Sequence, residues 1–364
     1  MLRHLFHRLL YAIPVLWVMV SVIFLLSRIL PGTFGEQLFA DEAGFYSKGS
    51  QQQKTIAYEQ LLQRTNQQLP LFYVGFASIK AAEAHTGYSY LLPDLNWNGT
   101  GNQYHLWASE VLTGSLGQSF ASTRPVTEVI TEAAGNTILI LLFSMFITIA
   151  LALVAGITMV LWQGSKWPQL LLTFLIVLDS LPLFVLSLLL LLLLASPDAL
   201  QLFPVFGLGY SSVANQSSIT SLLNQLPYLA LPILCMVLAN LPYLTNQFYS
   251  SLSGTMQADY IKTARAKGLR SYKVVTRHAL RNALLPVITI LSDMLPALVA
   301  GTGIIEIIFA IPGIGRLLVN SVLARDFPVI VGIVVVIAVF KMISHALADV
   351  LYTLADPRIR NSAK

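Results

Sequence analysis

Six stretches of this 364-residue chain are long and apolar enough to cross a lipid bilayer, and that pattern limits the fold more than anything else in the sequence. They are Leu9–Leu30, Asn136–Trp162, Leu170–Ala195, Pro227–Ser250, Leu284–Ala310 and Val329–Tyr352, each of 22 to 27 residues. About 20 residues span the hydrocarbon at 1.5 Å per residue, so these blocks also leave room for tilt. In lipid every backbone polar group must find its partner inside the segment, so blocks of this length read as helices. Composition agrees: 11% of the residues are Asp, Glu, Lys or Arg, where a soluble domain carries about 25%, and the mean hydropathy is +0.70. Pro14, Pro182, Pro232, Pro242 and Pro296 fall inside the blocks. Membrane helices tolerate such breakers where neighbouring groups satisfy the freed carbonyls.

Orientation follows from where the cations stand. With the N-terminus in the cytoplasm, thirteen of the Lys and Arg residues fall on the cytoplasmic side, seven of them between Ser251 and Ala283. Eight fall on the other side, five of them in one long segment where the positive-inside rule has little force. The basic start, Arg3 and Arg8, leads into an apolar run too long for a signal-peptide core, so it reads as a retained first helix rather than a cleaved leader. The expectation is an all-α integral membrane protein of about six transmembrane helices, with both termini cytoplasmic. Residues 1–30 form the N-terminus and first helix, 31–135 a long extracytoplasmic segment, and 136–364 a five-helix core that contains a cytoplasmic loop, 251–283.

The long segment is polar and rich in Tyr and Trp. Tyr88, Tyr90, Trp97, Tyr104 and Trp107 read as aromatics of a small packed subdomain at the membrane surface, in preference to a binding surface. His85 and His105 are 20 residues apart without a third ligand, so they read as surface histidines rather than a metal site. The Asn98-Gly99-Thr100 sequon reads as chance. Cys235 stands alone in an apolar block and reads as a small core residue.

The cytoplasmic loop sets Lys262, Arg265, Lys267, Arg270, Lys273, Arg277 and Arg281 against one acid, Asp259. A helix containing Asp259–Lys267 fits, stopped at Gly268, with its cations near the C-terminus where the helix dipole favours them. Ser271 is placed to cap a second short helix with Val274, Val275, His278 and Ala279 on one face. Charge alone equally suits a basic loop that binds anionic lipid.

The run Asp259-Tyr260-Ile261-Lys262-Thr263-Ala264-Arg265-Ala266-Lys267-Gly268-Leu269 resembles the cytoplasmic signature of ABC permeases, in the form seen in the dipeptide, oligopeptide and nickel permease family. Arg277-His278-Ala279-Leu280-Arg281-Asn282-Ala283-Leu284-Leu285-Pro286 is similar to the same family, as are Ile311-Pro312-Gly313-Ile314-Gly315-Arg316 and Arg325-Asp326-Phe327-Pro328. Asp356-Pro357-Arg358-Ile359-Arg360 continues that final stretch, and weaker likenesses are His7-Arg8-Leu9-Leu10 through Pro31-Gly32 and Gly114-Ser115-Leu116-Gly117-Gln118-Ser119, with Ser115 where the family has Asp. Only about Tyr73–Tyr104 lies outside the likeness.

The resemblance implies a permease subunit in the cytoplasmic membrane of a bacterium, importing peptides or similar small solutes. Its expected partners are a related permease or a second copy, two ATPase subunits or domains, and an extracytoplasmic substrate-binding protein, with lipid around it and no nucleic acid. Asp259, Tyr260, Ala264, Arg265, Ala266, Lys267 and Gly268 are then the ATPase-coupling residues, Ala264 and Ala266 allowing close approach and Gly268 the turn. The chain has no G-x-x-x-x-G-K-[ST] phosphate loop and no catalytic or metal-ligand set, so it is not expected to be an enzyme. ATP and Mg are expected in the partner ATPases, and no cofactor in this chain. An exporter subunit and a nickel or metal-complex importer are the alternatives within transport.

Four ionisable residues lie inside the blocks: Asp179, Asp293, Glu306 and Lys341. Each costs about 2.5–3.5 kcal/mol on insertion scales. Glu306 has a counterpart in the family. Asp179, Asp293 and Lys341 sit roughly 13–17 Å from the cytoplasmic ends and read as an ion pair facing the bundle interior, or else as a substrate or proton site in the pore. Lys341, His345 and Asp349 share a helix face. An intramembrane aspartyl protease using Asp179 and Asp293 is the reading from another class. The Leu178-Asp179 and Ser292-Asp293 contexts do not match that family.

Overall fold

A computed structural model describes residues 2–29, 56, 59–60, 62–63, 66–76, 95–204 and 218–355. Their order is α1 (Leu2–Ile29), β1 (Val74–Phe76), β2 (Leu95–Trp97), α2 (Gln103–Leu112), α3 (Val126–Leu161), α4 (Trp167–Asp179), α5 (Leu183–Leu194), α6 (Ser218–Thr255), α7 (Asp259–Ala266), α8 (Ser271–Val274), a π-helical turn (Val275–Ala279), α9 (Leu280–Ile308), α10 (Ile314–Leu323) and α11 (Phe327–Ala355). The protein is a largely helical membrane protein. Among the described residues four helical stretches are long and apolar enough to span a bilayer: Val126–Leu161, Gln225–Thr255, Ser271–Leu291 and Phe327–Ala348. The pair α4 and α5 brings that to five when taken as one broken span. In α1 the described apolar part is Ile13–Leu26.

The expected straight span Leu170–Ala195 is therefore two half-helices, bent by 100° at Ser180-Leu181-Pro182. Pro182 supplies no N–H to the ladder and disfavours helical geometry at Leu181, so the break falls where those two constraints coincide. The 38-residue α6 keeps Pro227, Pro232 and Pro242 inside it. The chain also departs from expectation at Ser271. The residue before it, Arg270, holds the extended cap conformation without a side-chain cap bond. The short helix that starts at Ser271 continues through the π turn into α9 rather than standing apart.

Two compact units emerge. The first comprises 1–13, 132–317 and 336–364; the second comprises 14–131 and 318–335. The first is organised around Ile140, Leu141, Leu229, Leu231, Cys235, Met236, Ile305 and Ile311, all buried, with Phe340 and Ile337 packed against them. A separate cluster of Val160, Leu252, Ile261, Ala264, Val274, Val275, Ala279 and Ala283 underlies the 251–283 loop.

In the second unit β1 and β2 pair antiparallel, Val74 opposite Trp97 and Phe76 opposite Leu95. Asn102 caps α2, accepting from the His105 N–H at 2.8 Å and donating to the Gly99 carbonyl at 2.7 Å. Phe24 stacks on Trp107 with centroids 4.8 Å apart, Tyr104 meets both rings, and its hydroxyl is 2.8 Å from Ser21 Oγ. Tyr104 and Trp107 are thus packing aromatics, whereas Trp97 is 71% exposed; Tyr88, Tyr90 and His85 lie outside the described residues. Buried Asp326 gathers the 119–121 turn, accepting from Ser119 Oγ at 2.5 Å and from the N–H groups of Phe120 and Ala121. The two separated family-like segments around Ser119 and Asp326 therefore meet through a single carboxylate.

Candidate functional site

The 251–283 loop is built on an apolar seat. On α7, Ile261 and Ala264 turn inward, 0% and 7% exposed, onto Leu252, Val274, Val275, Ala279 and Ala283. Spacing of three places both on one side of a helix, leaving Tyr260, Lys262, Thr263, Arg265, Ala266 and Lys267 exposed. Ala264 therefore packs inward against the seat, while Ala266 remains on the open face. Asp259 opens α7 and Arg265 lies in its last turn, both signs complementing the helix dipole. Lys262 Nζ is 2.8 Å from Asp259 Oδ1, an exposed pair one turn apart.

The helix stops at Gly268. Its φ of +76° is a left-handed conformation that glycine adopts without strain, and its N–H donates to the Arg265 carbonyl at 2.9 Å. A β-carbon there would meet nothing within 4 Å, so the glycine answers to backbone geometry and not to crowding. Two side-chain bonds tie the loop to the neighbouring helices. Asn282 Nδ2 donates to Tyr260 Oη at 2.7 Å, and Ser251 Oγ donates to the Ala283 carbonyl at 2.7 Å. Neither was visible from spacing, since each joins residues more than twenty positions apart.

At the other end of α9 a second constellation surrounds Glu306, which is fully buried. Thr137 Oγ1 donates to Glu306 Oε1 at 2.6 Å, and the Arg316 N–H donates to Oε2 at 2.9 Å. Thr137 Oγ1 also accepts from the Ile314 N–H at 2.8 Å, and Asn136 Nδ2 donates to the Pro312 carbonyl at 2.8 Å. Two side chains remote in sequence thereby satisfy the free N–H groups that open α10. The glycines of the Pro-Gly-x-Gly turn are required by contact: a β-carbon on Gly313 would overlap the Glu306 carboxyl, and one on Gly315 would overlap Gly303.

The remaining ionisable candidates fall in different places. Asp179 ends α4 at the broken span and is exposed. Lys341 lies midway along α11 and is exposed. The two form no ion pair with each other. The side chains of Asp293 and Asp349 lie outside the described residues. Among the described residues no group of His, Cys, Asp and Glu is placed to hold a metal ion; His105 Nδ1 instead lies 2.9 Å from the Tyr73 hydroxyl.

The region 148–361 matches the family described as binding-protein-dependent transport system inner membrane component. The chain is similar to a putative peptide transport system permease protein of Brucella abortus, 34% identical over 254 residues covering 70% of this chain and 78% of the relative. It is 33% identical to the oligopeptide transport system permease protein AppB of Bacillus subtilis over 263 residues, 71% and 79% of the two chains. With the oligopeptide transport system permease protein OppB of Haemophilus influenzae the identity is 26% over 361 residues, 99% of this chain and 100% of the other. The chain belongs to the binding-protein-dependent transport family of inner-membrane permeases, and is a multi-pass, membrane-spanning transport subunit.

Proposed function

We propose that this chain imports peptides as one of two permease subunits of an ATP-driven transporter in a bacterial inner membrane. Its partners in that reading are a related permease or a second copy, two ATPase subunits that bind ATP and Mg, and an extracytoplasmic binding protein that delivers cargo. Both termini and the 251–283 loop face the cytoplasm. Residues 31–135 lie outside, and 136–364 form the transport core. Peptide cargo is supported by the names of the relatives, including one aligned along nearly the whole of this chain.

One observation carries the coupling role. On α7 the apolar side is consumed by its own unit, while a face bearing Tyr260, Lys262, Arg265 and Lys267 is left exposed. A short helix seated in this way offers a firm, basic surface to another protein. Closure of two ATPases on ATP would push it, and α9 would carry the motion into the membrane. Gly268 holds the turn that ends the surface.

Reconstitution tests the reading. The complex that co-purifies with this chain, placed in proteoliposomes with its binding protein, is expected to take up labelled tri- to pentapeptides only with ATP on the cytoplasmic side. ATP-independent uptake, or co-purification without an ATPase, would overturn it. So would ATP-driven efflux in place of uptake, which is the exporter outcome.

A further inference from the structure

The exposed aliphatic side chains in the second half of α11 are Val339, Ile343, Leu347 and Leu351. Their spacing of four traces one stripe along the helix, the pattern of a lipid-facing side. Lys341 is not on that stripe. At 100° per residue it lies about 160° around the helix from Ile343. Its companions on that side are Ala338 and Ala348, both buried, and half-buried His345. Ile337, adjoining it, packs against the main core. The lysine thus projects from the protein-facing side of α11 and is nonetheless exposed.

Its depth makes that exposure informative. Fourteen residues separate Lys341 from Phe327 and seven separate it from Ala348, the two ends of the apolar span, or roughly 21 Å and 10 Å along the axis. A lysine side chain reaches only about 6 Å, so the ammonium cannot snorkel to either surface. It forms no hydrogen bond or ion pair with any described residue, Asp179 included. An ammonium within the span on a protein-facing side requires water, an anion or an acidic side chain in front of it.

We propose that Lys341 lines the translocation path and is the transient counter-charge for the α-carboxylate of a peptide crossing the membrane. This rests on the peptide reading above. Every linear peptide with a free C-terminus carries that carboxylate at neutral pH, whatever its side chains, so one cation serves cargo of varied sequence. The small neighbours Ala338 and Ala348 leave the ammonium standing clear of its surroundings, as a group that must capture and release requires. An ion pair with the second permease, or with Asp293, is the competing arrangement.

The test uses the reconstituted complex with its binding protein and two probes, trialanine and trialanine amide, each at saturating concentration. Lys341→Met is expected to lower the ratio of acid to amide transport rates about ten-fold, the effect of one charge-assisted hydrogen bond, with Lys341→Arg retaining it. An unchanged ratio, or an equal fall in both rates, would overturn the proposal. A second arm places Lys341→Cys in a Cys235→Ala background. The water-soluble reagent 2-aminoethyl methanethiosulfonate should modify that cysteine and restore the ratio, whereas methyl methanethiosulfonate should modify it without restoring. Failure of the charged reagent to react in both resting and vanadate-trapped complexes would mean that a protein partner covers the position. If the native complex transports neither probe, the peptide reading fails by itself, and labelling still reports whether position 341 faces water.

Discussion

Thr137 and Glu306 are 169 residues apart in the chain and joined by a 2.6 Å hydrogen bond in the fold. The bond ties the start of α3 to the end of α9, and both side chains then serve the N–H groups of α10. Neither residue can be replaced without leaving a buried polar atom alone. Thr137→Val is expected to cost about 1–3 kcal/mol of stability. Glu306→Leu should cost at least as much, since it also strands the N–H of Arg316. In Thr137→Val with Glu306→Leu the losses should be less than additive, read as the thermal unfolding midpoint of the purified complex. Strict additivity would show that the two do not act as a unit.

Close approach of Gly315 to Gly303 yields a sharper test. Gly315→Ala forces two backbones apart where no flexible side chain can yield, so assembled complex should be largely lost. Gly114→Ala, where the space is open, should leave yield near normal despite a strained φ costing about 1–2 kcal/mol. Equal yields from the two variants would contradict the packing described here.

For the cytoplasmic loop, the inward and outward faces of α7 should separate experimentally. Ile261→Asp buries a charge in the apolar seat and should abolish accumulation of the protein. Lys267→Glu and Gly268→Asp lie on the open side and should leave the chain inserted and folded while transport and ATPase stimulation by the binding protein fall at least ten-fold, the scale of about 1.4 kcal/mol of lost docking energy. Normal transport by Gly268→Asp, with normal ATP hydrolysis, would remove the coupling role from this segment.

Topology is open to direct labelling. In a Cys235→Ser background a cysteine at Thr100 should react with a membrane-impermeant maleimide in intact spheroplasts. One at Ser271 should react only after permeabilisation. Reaction at Ser271 in intact spheroplasts would invert the orientation.

Much of the helical pattern was legible in the sequence because hydrophobic length is a local quantity. The spans from Val126, Gln225 and Phe327, and the stop at Gly268, follow from composition over a window or from one residue's conformational freedom. The break at Pro182 was within reach, since Leu181-Pro182 carries the steric signal, yet prolines at 232 and 242 stay within a continuous helix and show that the signal alone does not decide. What spacing did not convey was partnership. Thr137 with Glu306, Asn282 with Tyr260 and Ser119 with Asp326 are pairs fixed by tertiary structure. Nor did the signature show which surface Ala264 packs against, since a small residue in a motif carries no direction of its own.

Through the junction of α8, the π turn and α9 the chain stays helical from Ser271 to Ile308. That run is a single strut, roughly 55 Å long at 1.5 Å per residue. Its inner end is clamped to the α7 seat by Ser251, Asn282 and the apolar cluster, and its outer end carries Glu306. A strut of that length amplifies: pivoting by about 5° at the seat swings the far end by roughly 5 Å. A small angular stroke at the α7 seat therefore becomes a displacement of ångström scale at the Glu306 turn, without any helix having to melt.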